Sequence, residues 1–265
     1  MKVISIINQK GGVGKTTTAL NLGYALYKKN YRVLMIDLDS QGSLSFATGI
    51  KNRDLLPYDL ALLLQNEINN TPCDIDNTLI ELNKSEEGGK FYLIPGNIKL
   101  SSIQNSIYNA LSREYLLRDI LNSVTEKHEF DFVIIDCSPS LSILTTNALV
   151  VSDEVIIPVN PSELSLVGIV DLLNSVENVR KKINSNLHIA GVLATMVDTR
   201  SNYVKNLLKE LHSIENVNVF RTIIPYSSKA SEPLSLGIST IEYNKNLKLS
   251  KAYLHFTNEL LKKTV

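Results

Sequence analysis

A chain of 265 residues with 44% hydrophobic and 20% charged side chains can bury a sizeable core, which excludes a disordered chain and a small stapled scaffold. Lys+Arg and Asp+Glu both number 27, so no global basic field draws nucleic acid; any such affinity must come from a local patch or from self-association. Two distant cysteines, Cys73 and Cys137, give neither a disulfide framework nor zinc-ligand spacing, and no run is long enough to span a bilayer, so a soluble, cytoplasmic protein without a signal peptide is expected.

Val3-Ile4-Ser5-Ile6-Ile7 reads as a buried strand, and Thr18–Leu26 as a helix. Between them lies Lys10-Gly11-Gly12-Val13-Gly14-Lys15-Thr16-Thr17. Strand, glycine loop and helix form the context a phosphate-binding loop needs. Glycines let backbone N–H groups close around an anion, and the helix N-terminus adds its positive end. Lys15 is expected on the outer phosphates and the Thr16 hydroxyl on Mg²⁺. The common pattern asks for glycine at position 9; Gln9 stands there and Lys10 follows, so the loop carries a second, early lysine. This is the deviant form of the Walker A loop.

Val33–Ile36 is the next strand and runs into Asp37-Leu38-Asp39-Ser40-Gln41-Gly42. Carboxylates at the carboxyl end of a buried strand lie where ligands of α/β folds bind, which points to metal and water positioning. From Gly49 to Gly89 the chain is polar and weakly patterned apart from Tyr58–Leu64, an excursion with short helices. Phe91–Ile94 reads as a strand, and Arg113–Lys127 as a helix with Leu116, Leu117, Ile120, Leu121 and Val124 on one stripe. Phe132–Ile135 then Asp136 is the Walker B arrangement, with Asp136 expected to hold Mg²⁺. Cys137 reads as a small packed thiol. Strands at Val155–Val159, Ile189–Thr195 and Val219–Ile224 alternate with helices at Ser162–Ile183, Asn202–His212 and Ser250–Lys263. Continuous apolar strands between helices predict an α/β fold with a doubly wound, mostly parallel sheet, helices on both faces, and one domain over residues 1–265.

The loop resembles that of the ParA/MinD/NifH group of ATPases. Asp37–Gly42 is similar to the Asp-x-Asp-Pro-Gln-Gly segment of ParA proteins, with Ser40 for proline. Cys137-Ser138-Pro139-Ser140 resembles the γ-phosphate-sensing switch, with Ser138 for the first of two prolines. Ile157–Gly168, Gly191–Arg200, Thr222–Pro225 and Ser231–Gly237 resemble later ParA segments in order and spacing. The nearest type is the short, Soj-like ParA without an N-terminal helix-turn-helix extension.

That resemblance implies ATP bound by Lys10, Gly11, Gly12, Val13, Gly14, Lys15, Thr16 and Thr17, with Met196 and Pro225 on the adenine side. It implies Mg²⁺ held by Thr16 and Asp136 with Asp37 supporting the metal shell, and catalysis by Lys10, Lys15 and Asp39, the last orienting or activating water. Lys10 would touch the nucleotide of a partner subunit in an ATP-dependent homodimer. The dimer would bind DNA without sequence preference on the nucleoid, and a ParB-like centromere-binding partner would stimulate slow hydrolysis. Arg200 is the first DNA candidate, with Lys205, Lys209, Lys229, Lys245, Lys248 and Lys251. The family's Pro-Arg-Asn is Pro225-Tyr226-Ser227 here, so one basic contact is missing. Alternatives are a MinD-like membrane cycler, a ParA-like cargo positioner, and a non-hydrolysing scaffold. No membrane is expected, because Leu260–Val265 reads as a packed last helix with a solvated lysine end. A NifH-like reductase needs cluster-bridging cysteines, and neither cysteine sits where one could serve.

Overall fold

The computed structural model describes residues 1–161, 166–198, 200–201, 211 and 217–264. Its aliphatic runs form one seven-stranded sheet: β1 (Lys2–Ile6), β2 (Arg32–Leu38), β3 (Ile80–Lys84), β4 (Lys90–Ile94), β5 (Phe132–Cys137), β6 (Glu154–Val159) and β7 (His188–Ala194). The order is β3-β4-β2-β5-β1-β6-β7, and every pairing is parallel except β3 on β4. Parallel neighbours need crossovers, and the helices supply them.

Among the described residues the helices are α1 (Lys15–Tyr27), α2 (Ser43–Ala47), α3 (Leu60–Ile68), α4 (Ile75–Thr78), α5 (Lys99–Asn109), α6 (Leu116–Lys127), α7 (Ile143–Val151) and α8 (Leu166–Lys182), with short helices at Ser231–Leu236 and Thr240–Tyr243 and a last helix Lys248–Thr264. Two cores result. Leu34, Ile36, Val133 and Ile135 join α3, α5, α6 and α7 in one; Val33, Met35 and Ile134 join α1, α2 and the last helix in the other. Alternate residues of one strand thus feed opposite cores, as the two-residue period of a strand requires. This is the doubly wound arrangement expected from the sequence.

Four elements differ from expectation. The seventh strand is β3, an antiparallel edge within the polar excursion, where only Ile80 and Leu82 are apolar. Residues 219–225 form no strand of the sheet: they run beside β7 and the segment after it through isolated bridges, Val192 to Val219 and Val197 to Pro225, and a few backbone hydrogen bonds. Helices α5 and α7 are additional; α7 lacks a helical stripe because, polar Thr145 and Asn147 included, it is buried on nearly every side. Most of the helix expected at Asn202–His212 lies outside the described residues.

Helix α1 is tied to the end of the chain. Asn21 Oδ1, fully buried, accepts from Thr240 N at 3.1 Å and Thr240 Oγ1 at 2.6 Å. Tyr253 and Phe256 of the last helix are buried beneath it, and Phe256 stands edge-on to Phe220 at 4.9 Å between centroids. Phe256→Ala is expected to lower unfolding stability by about 3–5 kcal/mol, read as a fall in the urea midpoint, because the emptied ring space cannot collapse against the sheet.

Candidate functional site

The strands carrying the three motifs are neighbours, in the order β2-β5-β1, and their carboxyl ends meet. Asp136 stands in register with Ile6 on one side and with Asp37 on the other. The phosphate loop begins just past Ile6, so all three motifs share one end of the sheet, the position where doubly wound folds bind ligands.

Local chemistry shapes the loop. Gly12 and Gly14 adopt left-handed backbone at φ 74° and 84°, which a side chain would resist. Asn8 braces the loop's start, donating from Nδ2 to Pro158 O at 2.7 Å and accepting Lys10 N at 2.9 Å. Thr195 Oγ1 donates to Val13 O at 2.8 Å and to Val159 O at 3.0 Å, fastening the loop to the end of β6. A Cβ added at Gly11 or Gly12 would meet open space, so the loop's surface faces the cleft. Lys15 heads α1, is 7% exposed, and donates to Lys10 O at 3.0 Å.

The cleft above the loop has a volume of about 670 Å³, room for a nucleoside triphosphate. Lys15, Thr16, Asp39, Arg53, Pro139 and Met196 are among its walls. Thr16 Oγ1 donates to Asp136 Oδ2 at 2.6 Å, and the other oxygen, Asp136 Oδ1, is buried without a hydrogen-bond partner. A hydroxyl beside a carboxylate with one unsatisfied oxygen is a hard-oxygen donor set, and Mg²⁺ takes few protein ligands when phosphates and waters complete its shell. The residues present therefore fit that ion.

Asp37, expected to support the metal shell, stands beside Asp136 in the sheet and spends its hydrogen bonds on the turn that follows β2. No hydrogen bond joins it to Thr16 or Asp136. Its Oδ2 accepts from Ser45 N and Ser45 Oγ, both at 2.7 Å, and its Oδ1 accepts Asp39 N at 3.3 Å. Asp37 thereby anchors the first turn of α2, which has no side-chain cap of its own. Asp39 is half-buried on the cleft wall, with Oδ1 accepting Gln41 N at 3.0 Å.

Burial sets the electrostatics. Loss of water lowers the Lys15 pKa, against the pull of Asp136 and then Asp39. Burial raises Asp136 well above the carboxylate range; the charge of Asp37 adds to this and the Thr16 hydroxyl opposes it. Burial raises Asp37 to about 7, its bonds to Ser45 notwithstanding. Burial likewise pushes the Cys137 thiol up, as suits a packed side chain.

Met196, at φ 53°, and Pro225 line a small adjoining cavity of about 70 Å³ beside Gly14 and Thr17. The segment after β7 is laced to the late loop by Ile224 N to Ala194 O at 2.8 Å and Val197 N to Ile224 O at 3.0 Å. Arg200 is 88% exposed and forms two bonds to Asp198, both at 2.9 Å. Lys229, Lys245, Lys248 and Lys251 are exposed; Lys205 and Lys209 lie outside the described residues. Sequence reasoning missed Asn8, Ser45, Arg53 and Thr195. Only Asn8 and Ser45, close to motifs and rich in hydrogen-bonding capacity, left a local signal.

This geometry defines a P-loop nucleoside triphosphatase, and Lys10 gives it the deviant loop. Comparison with known proteins narrows the class. A family profile described as an AAA domain matches residues 1–189. The chain is 37% identical over 259 residues to the sporulation initiation inhibitor protein Soj of Bacillus subtilis, covering 98% of each. It is 34% identical over 263 residues to the chromosome partitioning protein ParA of Caulobacter vibrioides, covering 98% of this chain and 94% of that one. A structure of cobyrinic acid a,c-diamide synthase from Mycobacterium smegmatis with bound ADP and magnesium has a TM-score of 0.83 at 30% identity, covering 100% and 95%. A plasmid partition protein of Borrelia burgdorferi has a TM-score of 0.74 at 28% identity, covering 99% and 98%. The chain belongs to the ParA/Soj family of the ParA/MinD superfamily.

The raised carboxylates give a signed pH dependence. Asp37 binds its proton more tightly folded than unfolded, so its contribution to stability is greatest near pH 4 and is lost as pH rises through about 7. Asp136 acts in the same direction. The protein without nucleotide is expected to melt at progressively lower temperature between pH 5 and pH 8 at constant ionic strength. Asp37→Asn should flatten this profile, and an equally steep profile in that variant would disprove the assignment.

Proposed function

We propose that this chain is an Mg²⁺-dependent ATPase switch of DNA partition, which dimerises on ATP and holds non-specific DNA until hydrolysis separates the subunits. The observation that carries this reading is the pair of amines on one loop, Lys15 buried at the head of α1 and Lys10 at the loop's exposed start. Lys15 serves its own nucleotide. Lys10, exposed at the rim, serves the nucleotide of a second copy.

Thr16 and Asp136 would hold Mg²⁺, which would supply neutralisation of phosphate charge when bound. Loop N–H groups and the start of α1 cradle the phosphates. Asp39 orients or activates the water that attacks the γ-phosphorus, and the bond to the leaving ADP oxygen breaks. Two apposed triphosphates repel each other unless lysines and metal offset them, so self-association follows nucleotide state. Loss of the γ-phosphate releases the contacts that order the loops after β2 and β5.

For DNA, Lys248 and Lys251 share a face of the last helix, three residues apart, with Lys229 and Lys245 also exposed. Arg200 must exchange its bonds to Asp198 for a phosphate, a small cost at so exposed a site. A ParB-like protein is the partner this reading expects to stimulate hydrolysis. A MinD-like lipid contact is disfavoured because the last helix spends Tyr253, Phe256 and Leu260 on the core. Among the described residues no helix is long and apolar enough to cross a membrane.

Two measurements test the switch. Lys15→Ala should weaken ATP binding roughly 100-fold or more, because a buried charge contact to phosphate is lost. Asp39→Ala should bind ATP and accumulate as dimer in size-exclusion chromatography with light scattering; only monomer in saturating ATP would refute the role given to Asp39. Lys248→Glu with Lys251→Glu should leave dimerisation intact and lower the slope of log affinity against log salt on random duplex DNA by about 4, two contacts being lost from each subunit of the dimer. An unchanged slope would move the DNA surface elsewhere.

A further inference from the structure

Arg53 lies in the polar excursion, on a single 3₁₀ turn (Arg53–Leu55), yet its side chain forms part of the nucleotide cleft wall. Its Nε donates to Gln41 O at 3.1 Å. Its guanidinium lies 5.6 Å from the centroid of the Phe46 ring. Its own carbonyl accepts Asn97 Nδ2 at 3.0 Å, and buried Asn97 also donates to Asp59 Oδ2 at 2.9 Å. The 3₁₀ turn is thus fixed from behind while the side chain reaches forward into the site.

The residue it grips belongs to the turn that carries Asp39. Gly42 N donates to Asp39 O at 2.9 Å, and Gln41 N donates to the Asp39 carboxylate at 3.0 Å. Gly42 adopts φ 58°, and a Cβ there would come within 2.4 Å of Arg53 Cδ and Nε and 2.7 Å of Gly96 O. The turn therefore has its shape with Arg53 lying against it. One peptide unit separates the arginine's hold on Gln41 from Gln41's hold on the Asp39 side chain. Among the described residues no carboxylate pairs with Arg53, so its planar fork is committed to this carbonyl and this ring.

We propose that Arg53 is a positioning residue for hydrolysis: through Gln41 it holds the Asp39 turn, and hence the Asp39 carboxylate, in the orientation the attacking water needs. The proposal rests on the ATPase reading above. A static hold of this kind acts on turnover, since small misplacements of a catalytic group lower rate steeply while the phosphate loop still binds nucleotide.

The test uses the full chain with Mg²⁺, measuring steady-state ATP hydrolysis and, separately, affinity for a fluorescent ATP analogue. Arg53→Ala should lower kcat roughly tenfold with affinity changed less than about threefold. Arg53→Met, which keeps an apolar stem over Phe46 but has no donor, should match it and serves if the alanine variant does not fold. Arg53→Lys, which retains a donor within reach of Gln41 O, should recover most of the rate. In an Asp39→Asn background Arg53→Ala should have no further effect, because the arginine acts only through that carboxylate. Wild-type kcat in both donorless variants, a loss confined to affinity, or a further tenfold fall in the Asp39→Asn background would each overturn the proposal. Wild type that neither binds nor hydrolyses ATP would end the ATPase reading itself and the Arg53 role with it; an active wild type with an inert Arg53 sinks the latter alone.

Discussion

The site depends on placing three ionisable groups, Lys15, Asp37 and Asp136, out of water where three neighbouring strands end. Each ion so buried costs several kcal/mol unless it is compensated. The fold compensates each differently. Asp37 receives two bonds from Ser45. Asp136 receives one from Thr16 and keeps an unsatisfied oxygen. Lys15 rests on a loop carbonyl and draws on the charges of Asp136 and Asp39. Compensation is incomplete for all three: Asp136 keeps an unpartnered oxygen, burial lowers the Lys15 pKa, and Asp37 is raised to about 7 despite its bonds to Ser45. A metal and a phosphate beside the loop would meet the needs of Asp136 and Lys15.

The same inequality separates rigid from responsive parts. The phosphate loop is fastened on three sides by Asn8, Thr195 and the start of α1. The loop after β5 is held less: Pro139, Ser140 and Leu141 are exposed, and Ser142, at the N-cap of α7, has a buried hydroxyl that caps nothing. A helix start with its capping side chain idle has an alternative arrangement near in energy. The loop after β2 is intermediate, tied by Ser45 at its base and by Arg53 at its crest. A well-fastened cradle between two less constrained loops is the arrangement that the proposed γ-phosphate switch would require.

Much of this was legible in the sequence because it is local. The glycine loop, the acids that end β2 and β5, and the alternation of strands with helices each leave a contiguous signature, and their strand ends fall together as the doubly wound pattern demands. What the sequence hid is contact between distant segments. Thr195 meets Val13 across 182 positions, and Asn21 meets Thr240 across 219. Neither carries a motif, since a hydroxyl or amide becomes informative only when its partner is known. Arg53 was hidden for another reason: it lies in a stretch whose polar composition reads as a solvated excursion. Edge strand β3 was missed because a strand covered on one side needs only two apolar residues in five. Asp37 and Asp39 look alike on paper, and only the position of Ser45, eight residues on, separates anchor from cleft residue.

Charge balance bears on how such a switch would release DNA. With 27 cationic and 27 acidic side chains the chain has no net field to hold a polyanion, so although many of its cations are exposed, any hold on one must come from a local patch. Electrostatic affinity for DNA grows exponentially with the number of phosphates neutralised, because each contact releases condensed counterions. A monomer offering a handful of contacts binds weakly at physiological salt, while a dimer that aligns two such sets doubles the count and squares the electrostatic part of the binding constant. A balanced chain is therefore better suited to the proposed cycle than a basic one, whose monomer would stay on DNA after hydrolysis. In the proposed cycle retention would then track the dimer, the dimer would track the third phosphate, and the two lysines of one loop would couple them.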